Sequence, residues 1–276
     1  MFEDKVIPLD MWVSQFVDWL VENYRDIFQA LKWPVEQTLN GLDAGLNALP
    51  PILVIALIAI AAWRFSGKGL AIFAVITMTL IGLLGLWADT MTTLAMVLSS
   101  VLFCALVGIP LGIWAGRSDG FEAGIRPVLD AMQTTPAFVY LVPIVMLFSV
   151  GNVAGVLATI VFALPPIIRL TSLGIRQVHP ELVEAAQAFG ATNWQVLVRV
   201  QVPLAMPTIL AGLNQTIMMA LSMVVIAALI GAGGLGSPVI LGLNTLDIGR
   251  AVIGGLSIVL MAIVLDRITQ SMAQKK

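Results

Sequence analysis

The sequence predicts an all-α integral membrane protein with about seven transmembrane helices, preceded by an amphipathic helix on the membrane surface. Hydrophobic residues make up 59% of the chain and charged residues only 11%, whereas soluble domains have a charged fraction of about a quarter. Apolar runs recur at lengths near the roughly 20 residues that cross a bilayer core as a helix. The net charge of -2 and the scattered Lys and Arg residues exclude a nucleic-acid partner.

The first predicted element is an amphipathic helix within residues 1–46. Its apolar and polar side chains each recur at helical spacing on opposite faces. The apolar set is Trp12, Phe16, Trp19, Leu20, Tyr24, Ile27, Phe28 and Leu31, and the polar set is Asp18, Glu22, Asp26 and Gln29. A second surface helix is predicted over residues 35–49. This segment either lies in the outer headgroup layer or docks an external partner, and both interpretations stay open.

Seven apolar segments follow that are long enough to span a membrane. They are residues 47–65, 69–87, 91–116, 134–150, 152–170, 205–230 and 250–267. We divide the chain into an external N-terminal segment (1–46), two peripheral transmembrane helices (47–89), a five-helix core (90–270) and a cytoplasmic tail (271–276). The core contains a cytoplasmic loop, residues 173–203. The acidic N-terminus predicts no cleavable signal peptide.

Basic residues indicate the orientation, because short loops rich in Lys and Arg stay cytoplasmic. With the N-terminus outside, ten of the fourteen Lys and Arg residues face the cytoplasm. These are Arg64, Lys68, Arg117, Arg126, Arg169, Arg176, Arg199, Arg267, Lys275 and Lys276, whereas Lys5, Arg25, Lys32 and Arg250 stay outside. The C-terminus and the loop 173–203 are therefore expected in the cytoplasm.

Glycines mark two further features of the predicted spans. Gly108, Gly112 and Gly116 recur every four residues and share one face of the third span. Small residues at this spacing let two helix backbones approach closely in lipid, so we interpret the stripe as a packing surface, with a pivot as the alternative. The glycine-rich residues 231–236, after the sixth span, predict a flexible outer turn.

The chain lacks the usual means of driving transport by itself. Residues 134–168 and 202–246 include no Asp, Glu, Lys, Arg or His, whereas proton-coupled carriers usually keep ionisable relays at membrane depth. Sodium coupling through carbonyl and hydroxyl groups stays open. No Gly-rich nucleotide loop is present. Cys104 and His179 are each alone, which excludes an intrachain disulfide and a cysteine-based metal site. We therefore predict no catalytic residue, no metal and no bound cofactor.

The loop 173–203 predicts two short helices. Pro180 suits the first position of a helix and Gly190 suits the position just past its end, so a helix of under three turns is expected between them. Thr192 and Gln195 have the spacing of a capping box, which predicts a second helix running toward Pro203. An exposed short helix with small residues, a carboxylate and an apolar edge is suited to a cleft on another protein.

This loop resembles the signature loop of ABC importer permease subunits, which reads Glu-Ala-Ala, three residues, Gly, nine residues, Ile-x-Leu-Pro. It stands here as Glu184-Ala185-Ala186, Gly190, Val200, Val202 and Pro203, with Val at the Ile and Leu positions. Residues 132–136, 203–207, 220–227 and 265–267 resemble the glycine betaine/proline betaine/choline branch of these permeases. The resemblance covers residues 90–270.

The resemblance implies a type I ABC importer fold in a bacterial cytoplasmic (inner) membrane. A permease homodimer is expected to form the pathway, with two ATPase subunits, which hold ATP and Mg, on its cytoplasmic side. A periplasmic or extracellular substrate-binding protein is expected to deliver the solute. ATPase coupling is implied for Glu184, Ala185, Ala186, Phe189, Gly190 and Pro203.

Candidates for the solute pathway lie in the fourth and sixth spans. They are Phe138, Tyr140, Asn214, Gln215, Met218, Met219 and Ser222, each with helix packing as its alternative role. A betaine carries a quaternary ammonium and a carboxylate, so it suits a pathway without fixed charges. Three function classes stay open: an ATP-driven importer of quaternary ammonium osmolytes, an importer of an amino acid or sulfonate, and a self-sufficient secondary carrier or channel.

Overall fold

The computed structural model describes residues 8–274, which are almost entirely helical. The α-helices in this range are α1 Leu9–Ala48, α2 Pro51–Ser66, α3 Lys68–Leu83, α4 Trp87–Arg117, α5 Asp119–Thr134, α6 Leu141–Phe148, α7 Asn152–Arg176, α8 Pro180–Ala188, α9 Asn193–Val196, α10 Val202–Ala227, α11 Gly236–Thr245 and α12 Ile248–Gln274. Short 3-10 helices at Ala137–Tyr140 and Ala228–Ile230 and a π-helical stretch at Leu197–Gln201 connect some of them. Lys5, Lys275 and Lys276 lie outside the described residues, as does the end of the predicted tail 271–276.

The lengths of the helices agree with an all-α membrane protein. Within residues 8–274, four helices are long and apolar enough to cross a bilayer alone: α4, α7, α12 and the continuous stretch Asn193–Ile230 that contains α10. Two bent pairs can each count as a further span, with bends of 108° between α1 and α2 and 105° between α5 and Ala137–Phe148. The apolar helix α3 has 16 residues, which gives it a length of about 24 Å. The predicted fold class is confirmed.

The predicted fourth span, residues 134–150, is wrong in its extent. Helix α5, which precedes the predicted span, ends at Thr134, and only Ala137–Phe148 forms the apolar helical segment beyond the 105° bend. Pro136 explains the break. Its ring disfavours helical backbone for the preceding residue, and Thr135 is accordingly extended, with φ -71° and ψ 126°.

Helices α4 and α7 pack closely along the glycine stripe of α4. A Cβ atom added to Gly112 would lie 2.5 Å from Thr171 Cβ and 2.7 Å from the carbonyl oxygen of Ile168. Gly108 and Gly116 meet α7 in the same way, one turn before and one turn after. The packing interpretation of the stripe is confirmed, because these contacts leave no room for side chains between the two backbones.

Helix α10 also packs against α7. A Cβ atom added to Gly174 of α7 would lie 3.0 Å from Thr208 Cβ, and the same addition to Gly212 of α10 would lie 3.0 Å from Leu170 Cβ. The hydroxyl of Thr216 donates to a carbonyl of α7 at 3.1 Å. Helices α4, α7 and α10 therefore form the tightly packed centre of the bundle.

The N-terminal segment has two helical parts, as the pattern predicts, but they meet at a kink at Tyr24 and not near residue 35. Helix α1 bends at Tyr24, where φ is -122° and ψ is 19°, and continues through Pro34. Its first half exposes an aromatic face that includes Trp12. In its second half Val35 and Leu39 are buried in the same cluster as residues of α4. The surface-helix prediction is wrong for residues 35–48, because an apolar stripe of this kind can cover either lipid or neighbouring helices.

The glycine-rich turn predicted after α10 is present, and two side chains accept hydrogen bonds from its backbone. The backbone N–H of Gly233 donates to Asn152 Oδ1 at 2.6 Å, and the N–H of Leu235 donates to the buried Thr93 Oγ1 at 2.8 Å. Gly234 has φ +82°, a left-handed conformation that favours glycine. These bonds fasten the turn to the starts of α4 and α7.

Polar contacts join the helix ends that carry basic residues. Arg176, at the end of α7, pairs with Asp119 at the start of α5 across 2.6 Å. Ser66, at the end of α2, donates to the carbonyl oxygen of Arg267 in α12 at 3.0 Å. The glycine-rich turn at residues 231–236, which is hydrogen-bonded to the starts of α4 and α7, lies at the opposite end of the bundle. Helix ends that the charge bias assigns to the cytoplasm are therefore neighbours in the structure.

Candidate coupling segment and solute pathway

Helix α8 is the core of the candidate coupling segment, which we define as residues 179–198. Pro180 occupies its first turn, where a missing N–H costs nothing and the fixed φ suits a helix. None of the residues of α8 is buried. Glu184 is exposed, and Phe189, just after the helix, is 92% exposed. The short helix predicted here is confirmed, and it projects from the bundle.

A sharp bend at Gly190 ends α8. Gly190 has φ +82°, and its N–H donates to the carbonyl of Gln187 at 2.9 Å. The next residue, Ala191, donates to the carbonyl of Ala186 at 3.0 Å. This pair of bonds belongs to the Schellman arrangement, in which a glycine adopts the left-handed conformation because it has no Cβ. The direction of the chain after α8 is thus fixed by the backbone.

The capping box predicted after the bend is confirmed. Thr192 Oγ1 accepts from the N–H of Gln195 at 3.3 Å, and Gln195 Oε1 accepts from the N–H of Thr192 at 2.8 Å. Together these bonds satisfy two backbone donors that a helix start otherwise leaves open.

The helix that begins there does not stop near Pro203, because Asn193–Ile230 is one helical stretch. Its π-helical segment, Leu197–Gln201, directly precedes Pro203, and the N–H of Val202 donates to the carbonyl of Leu197. Proline lacks an N–H and clashes with the carbonyl four residues earlier, so a widened turn lets the helix continue into α10. The coupling segment is therefore continuous with a membrane helix.

Large apolar side chains are exposed along the coupling segment. The exposed fractions are 46% for Leu182, 92% for Phe189, 69% for Trp194 and 45% for Val198. Ala186, one helical turn after Leu182, is half-buried. An exposed apolar set beside a carboxylate is typical of a surface that another protein covers.

Some of the predicted pathway residues share one exposed face of α10. Gln215, Met218 and Ser222 are exposed at helical spacing, and the hydroxyl of Ser222 bonds only within its own helix, to the carbonyl of Met218 at 3.1 Å. Met219 is half-buried beside them. Phe138, before α6, is 60% exposed. This face carries no ionisable group.

The other two predicted pathway residues make structural contacts. The hydroxyl of Tyr140 donates to the carbonyl of Met132 at 2.6 Å. Asn214 Nδ2 donates to Asp266 Oδ1 of α12 at 3.0 Å, and Asn214 Oδ1 accepts from the hydroxyl of Thr269. Asn214 therefore joins α10 to α12.

Sequence reasoning missed the role of Asp266. The sequence does contain a signal for this contact, which is a carboxylate inside a predicted apolar span. Such a costly group usually pairs with a polar partner. Within residues 8–274 there is no cluster of three or more His, Cys, Asp or Glu side chains arranged to hold a metal ion.

The apolar helices of the bundle define the protein as a multi-pass membrane protein, with one exposed segment continuous with a membrane helix. Residues 108–276 match the family described as binding-protein-dependent transport system inner membrane components. The chain belongs to this family.

Relatives with named functions are similar over almost the whole chain. The chain is 54% identical over 273 residues to the glycine betaine/proline betaine transport system permease protein ProW of Escherichia coli K12, which covers 99% of this chain and 77% of that protein. It is 47% identical to the glycine betaine transport system permease protein OpuAB of Bacillus subtilis 168, over 98% of this chain and 96% of that one.

The fold also has a solved counterpart. A chain of the MetNI methionine ABC transporter in an inward-facing conformation aligns with a TM-score of 0.56 and 24% identity, over 66% of this chain and 91% of that one. This likeness concerns the fold alone.

Proposed function

We propose that this protein is the permease subunit of an ATP-driven importer for small quaternary ammonium osmolytes, glycine betaine among them. The observation that carries the proposal is the exposed coupling segment, whose apolar side chains are suited to a cleft on an ATPase subunit. The names of the two relatives described above supply the cargo, because both are called glycine betaine transport permeases.

The proposed assembly contains two copies of this chain, two ATPase subunits that bind ATP and Mg, and a substrate-binding protein outside the membrane. Its place is the bacterial inner membrane, with the N-terminus outside and the C-terminus cytoplasmic. The clustering of basic residues at one end of the bundle supports this orientation, since short basic loops stay cytoplasmic.

The proposed coupling is mechanical. Closure of the ATPase subunits displaces α8, and the fixed bend at Gly190 converts this displacement into movement of α9. Because α9 continues through the π-helical stretch into α10, α10 moves with it. Glu184 and Phe189 are the side chains of this segment that we assign to the ATPase contact, since both are exposed.

The proposed solute path follows the exposed face of α10. On this face, Gln215, Met218 and Ser222 offer an amide, a thioether and a hydroxyl group without a fixed charge. Phe138, in the short 3-10 helix before α6, adds an aromatic ring. A zwitterion with a quaternary ammonium group can move along such a face without being held by an ion pair. Tight recognition of the ammonium by aromatic rings is assigned to the external binding protein.

Reconstitution tests the proposal. The chain is inserted into liposomes alone or with its ATPase and binding protein, and uptake of radiolabelled glycine betaine is measured with and without ATP. We expect uptake only with all components and ATP. Uptake by the chain alone would overturn the importer assignment, and uptake of an amino acid or sulfonate instead would overturn the osmolyte assignment.

A charge reversal tests the coupling segment separately. Glu184→Lys should reduce co-purification of the ATPase at least tenfold while membrane insertion is unchanged, because the reversed charge would face the ATPase cleft. Asp18→Lys makes the same change at an exposed residue of α1 and should leave ATPase binding intact. Normal complex formation by Glu184→Lys would refute the role of α8.

A further inference from the structure

A cavity of about 340 Å³ lies between α4, α5 and α7, at the end of the bundle that carries the basic residues. Its volume is near the lower limit of known small-molecule sites, which start at about 300 Å³. The polar side chains that line it are Glu122, Arg126, Asp130, Arg169, Ser172 and Arg176. None of them belongs to the coupling segment or to the proposed solute path.

Arg176 is a structural clamp at the edge of this cavity. Its Nη1 atom pairs with Asp119 at 2.6 Å, and its Nη2 atom contacts Glu122 at 2.9 Å and the carbonyl of Ala115 at 2.8 Å. These contacts join the end of α7 to α4 and α5. The guanidinium of Arg176 is thus already engaged on both sides.

The other two arginines have donors to spare. In the described part of the chain, Arg126 is bonded through Nη2 alone, to Glu122 at 2.9 Å, and Arg169 through Nη2 alone, to Asp130. A guanidinium carries five N–H donors in a planar fork that matches two oxygens of a phosphate or carboxylate. Each side chain can therefore bind an anion without losing its present partner.

The position of the cavity indicates the headgroup layer of the membrane. Trp114 is 56% exposed and stacks on Phe121 of α5 with ring centroids 3.9 Å apart, and exposed tryptophans of membrane proteins concentrate at the headgroup level. The remaining lining is apolar and includes Leu129 and Ile168. The cavity therefore combines cationic donors with an apolar floor at the depth of lipid phosphates.

We propose that this cavity binds the head group of an anionic phospholipid. Arg126 and Arg169 contact the phosphate oxygens, and the apolar floor receives the first carbons of the acyl chains. The lining holds three arginines and two carboxylates, and Arg176 also pairs with Asp119 just outside it. The spare N–H donors of Arg126 and Arg169, rather than a net positive charge, would therefore attract the anion. Pockets with arginine donors between membrane helices on the cytoplasmic side are suited to anionic head groups. A bound lipid would hold α5 against α7.

Native mass spectrometry of the purified chain tests this proposal, with dioleoyl phosphatidylglycerol and dioleoyl phosphatidylcholine as the added lipids. We expect retention of phosphatidylglycerol and not of phosphatidylcholine. Arg126→Gln and Arg169→Gln should each weaken this binding at least fivefold. Lys68→Gln removes an exposed basic residue from the start of α3 and should leave the binding unchanged.

Asp130→Asn should strengthen the binding of phosphatidylglycerol rather than weaken it. It removes a carboxylate that competes for Arg169, so phosphatidylglycerol should bind several-fold more tightly. Asp130 is exposed, so this variant gives a result even if an arginine variant fails to fold. Equal retention of both lipids, or unchanged binding in Asp130→Asn, would overturn the proposal.

A competition experiment distinguishes a lipid phosphate from free inorganic phosphate as the bound group. Displacement of bound phosphatidylglycerol by 10 mM inorganic phosphate, on the order of magnitude of cellular concentrations, would assign the cavity to a soluble anion and overturn the lipid assignment. Capture of the ATPase by these variants at wild-type level is expected. The measurements require neither ATPase nor transport, so they succeed or fail independently of the proposed function.

Discussion

Gly112→Ala tests whether the close approach of α4 and α7 holds the bundle together. The added methyl carbon would lie 2.5 Å from Thr171 Cβ and 2.7 Å from the carbonyl oxygen of Ile168. Two carbon atoms prefer a separation of about 3.5–4.0 Å. The helices must therefore separate by about 1 Å at this level, since the obstructing carbonyl belongs to the backbone and cannot rotate away.

Two opposing terms set the size of the effect. Overpacking of this kind costs about 1–3 kcal/mol, whereas replacing a helical glycine with alanine gains about 0.5–1 kcal/mol by reducing the freedom of the unfolded chain. The overpacking term is larger, so Gly112→Ala should lower the free energy of unfolding by about 1–2 kcal/mol. The free energy is measured by titration with sodium dodecyl sulfate in mixed micelles, followed by circular dichroism.

Gly255→Ala is the matched control. Gly255 also lies inside a membrane helix, α12, but a Cβ atom added there meets no atom within 4 Å. Its substitution should be neutral or stabilising by up to about 1 kcal/mol. The reasoning is refuted if Gly112→Ala is as stable as the wild type, or if both variants lose the same free energy.

Three further predictions concern the bend at Gly190, the glycine-rich turn after α10, and the contact between α10 and α12. Gly190→Val should impair ATP-driven uptake, because a side chain in the left-handed region costs about 1–2 kcal/mol, whereas Gly190→Asn should be tolerated. Thr93→Val should lower the free energy of unfolding by about 1–3 kcal/mol, because the buried N–H of Leu235 loses its acceptor. Asn214→Leu should lower stability by a similar amount, since Asp266 loses a donor, while the KM for solute in proteoliposomes stays unchanged.

A different experimental result would contradict each of these three predictions. Equal uptake by Gly190→Val and Gly190→Asn would show that the conformation at the bend is unimportant. Thr245→Val removes a hydroxyl that bonds only within α11, and a loss of stability equal to that of Thr93→Val would rule out the special role of the turn. A changed KM with unchanged stability in Asn214→Leu would return Asn214 to the solute path.

Local chemistry made the coupling segment predictable from the sequence. Pro180, Gly190, Thr192 and Gln195 act through backbone bonds to near neighbours, so their spacing specifies the turns directly. The glycine stripe of α4 was equally readable, because a four-residue repeat of small side chains has one main use in lipid. In both cases the structure contains what the residues predict.

Long-range contacts explain what the sequence did not reveal. The stripe around Val35 is compatible with lipid or with α4, and only the tertiary structure decides between them. The helix break before α6 was not predicted, because Pro136 stands within an otherwise continuous apolar run. The hydrogen bond between Asn214 and Asp266 was not predicted, because the two residues lie 52 positions apart in the chain.

The continuity of α9 with α10 has a mechanical consequence for the whole bundle. Gly174 and Gly212 bring the backbones of α7 and α10 into contact, so α10 cannot slide or rotate alone without meeting α7. The Asn214 amide joins the same helix to α12 through Asp266. A force applied to the coupling segment therefore reaches α7 and α12 as well as α10. On the proposed function, this predicts that ATPase closure moves these three helices as a unit rather than bending the exposed face of α10 locally.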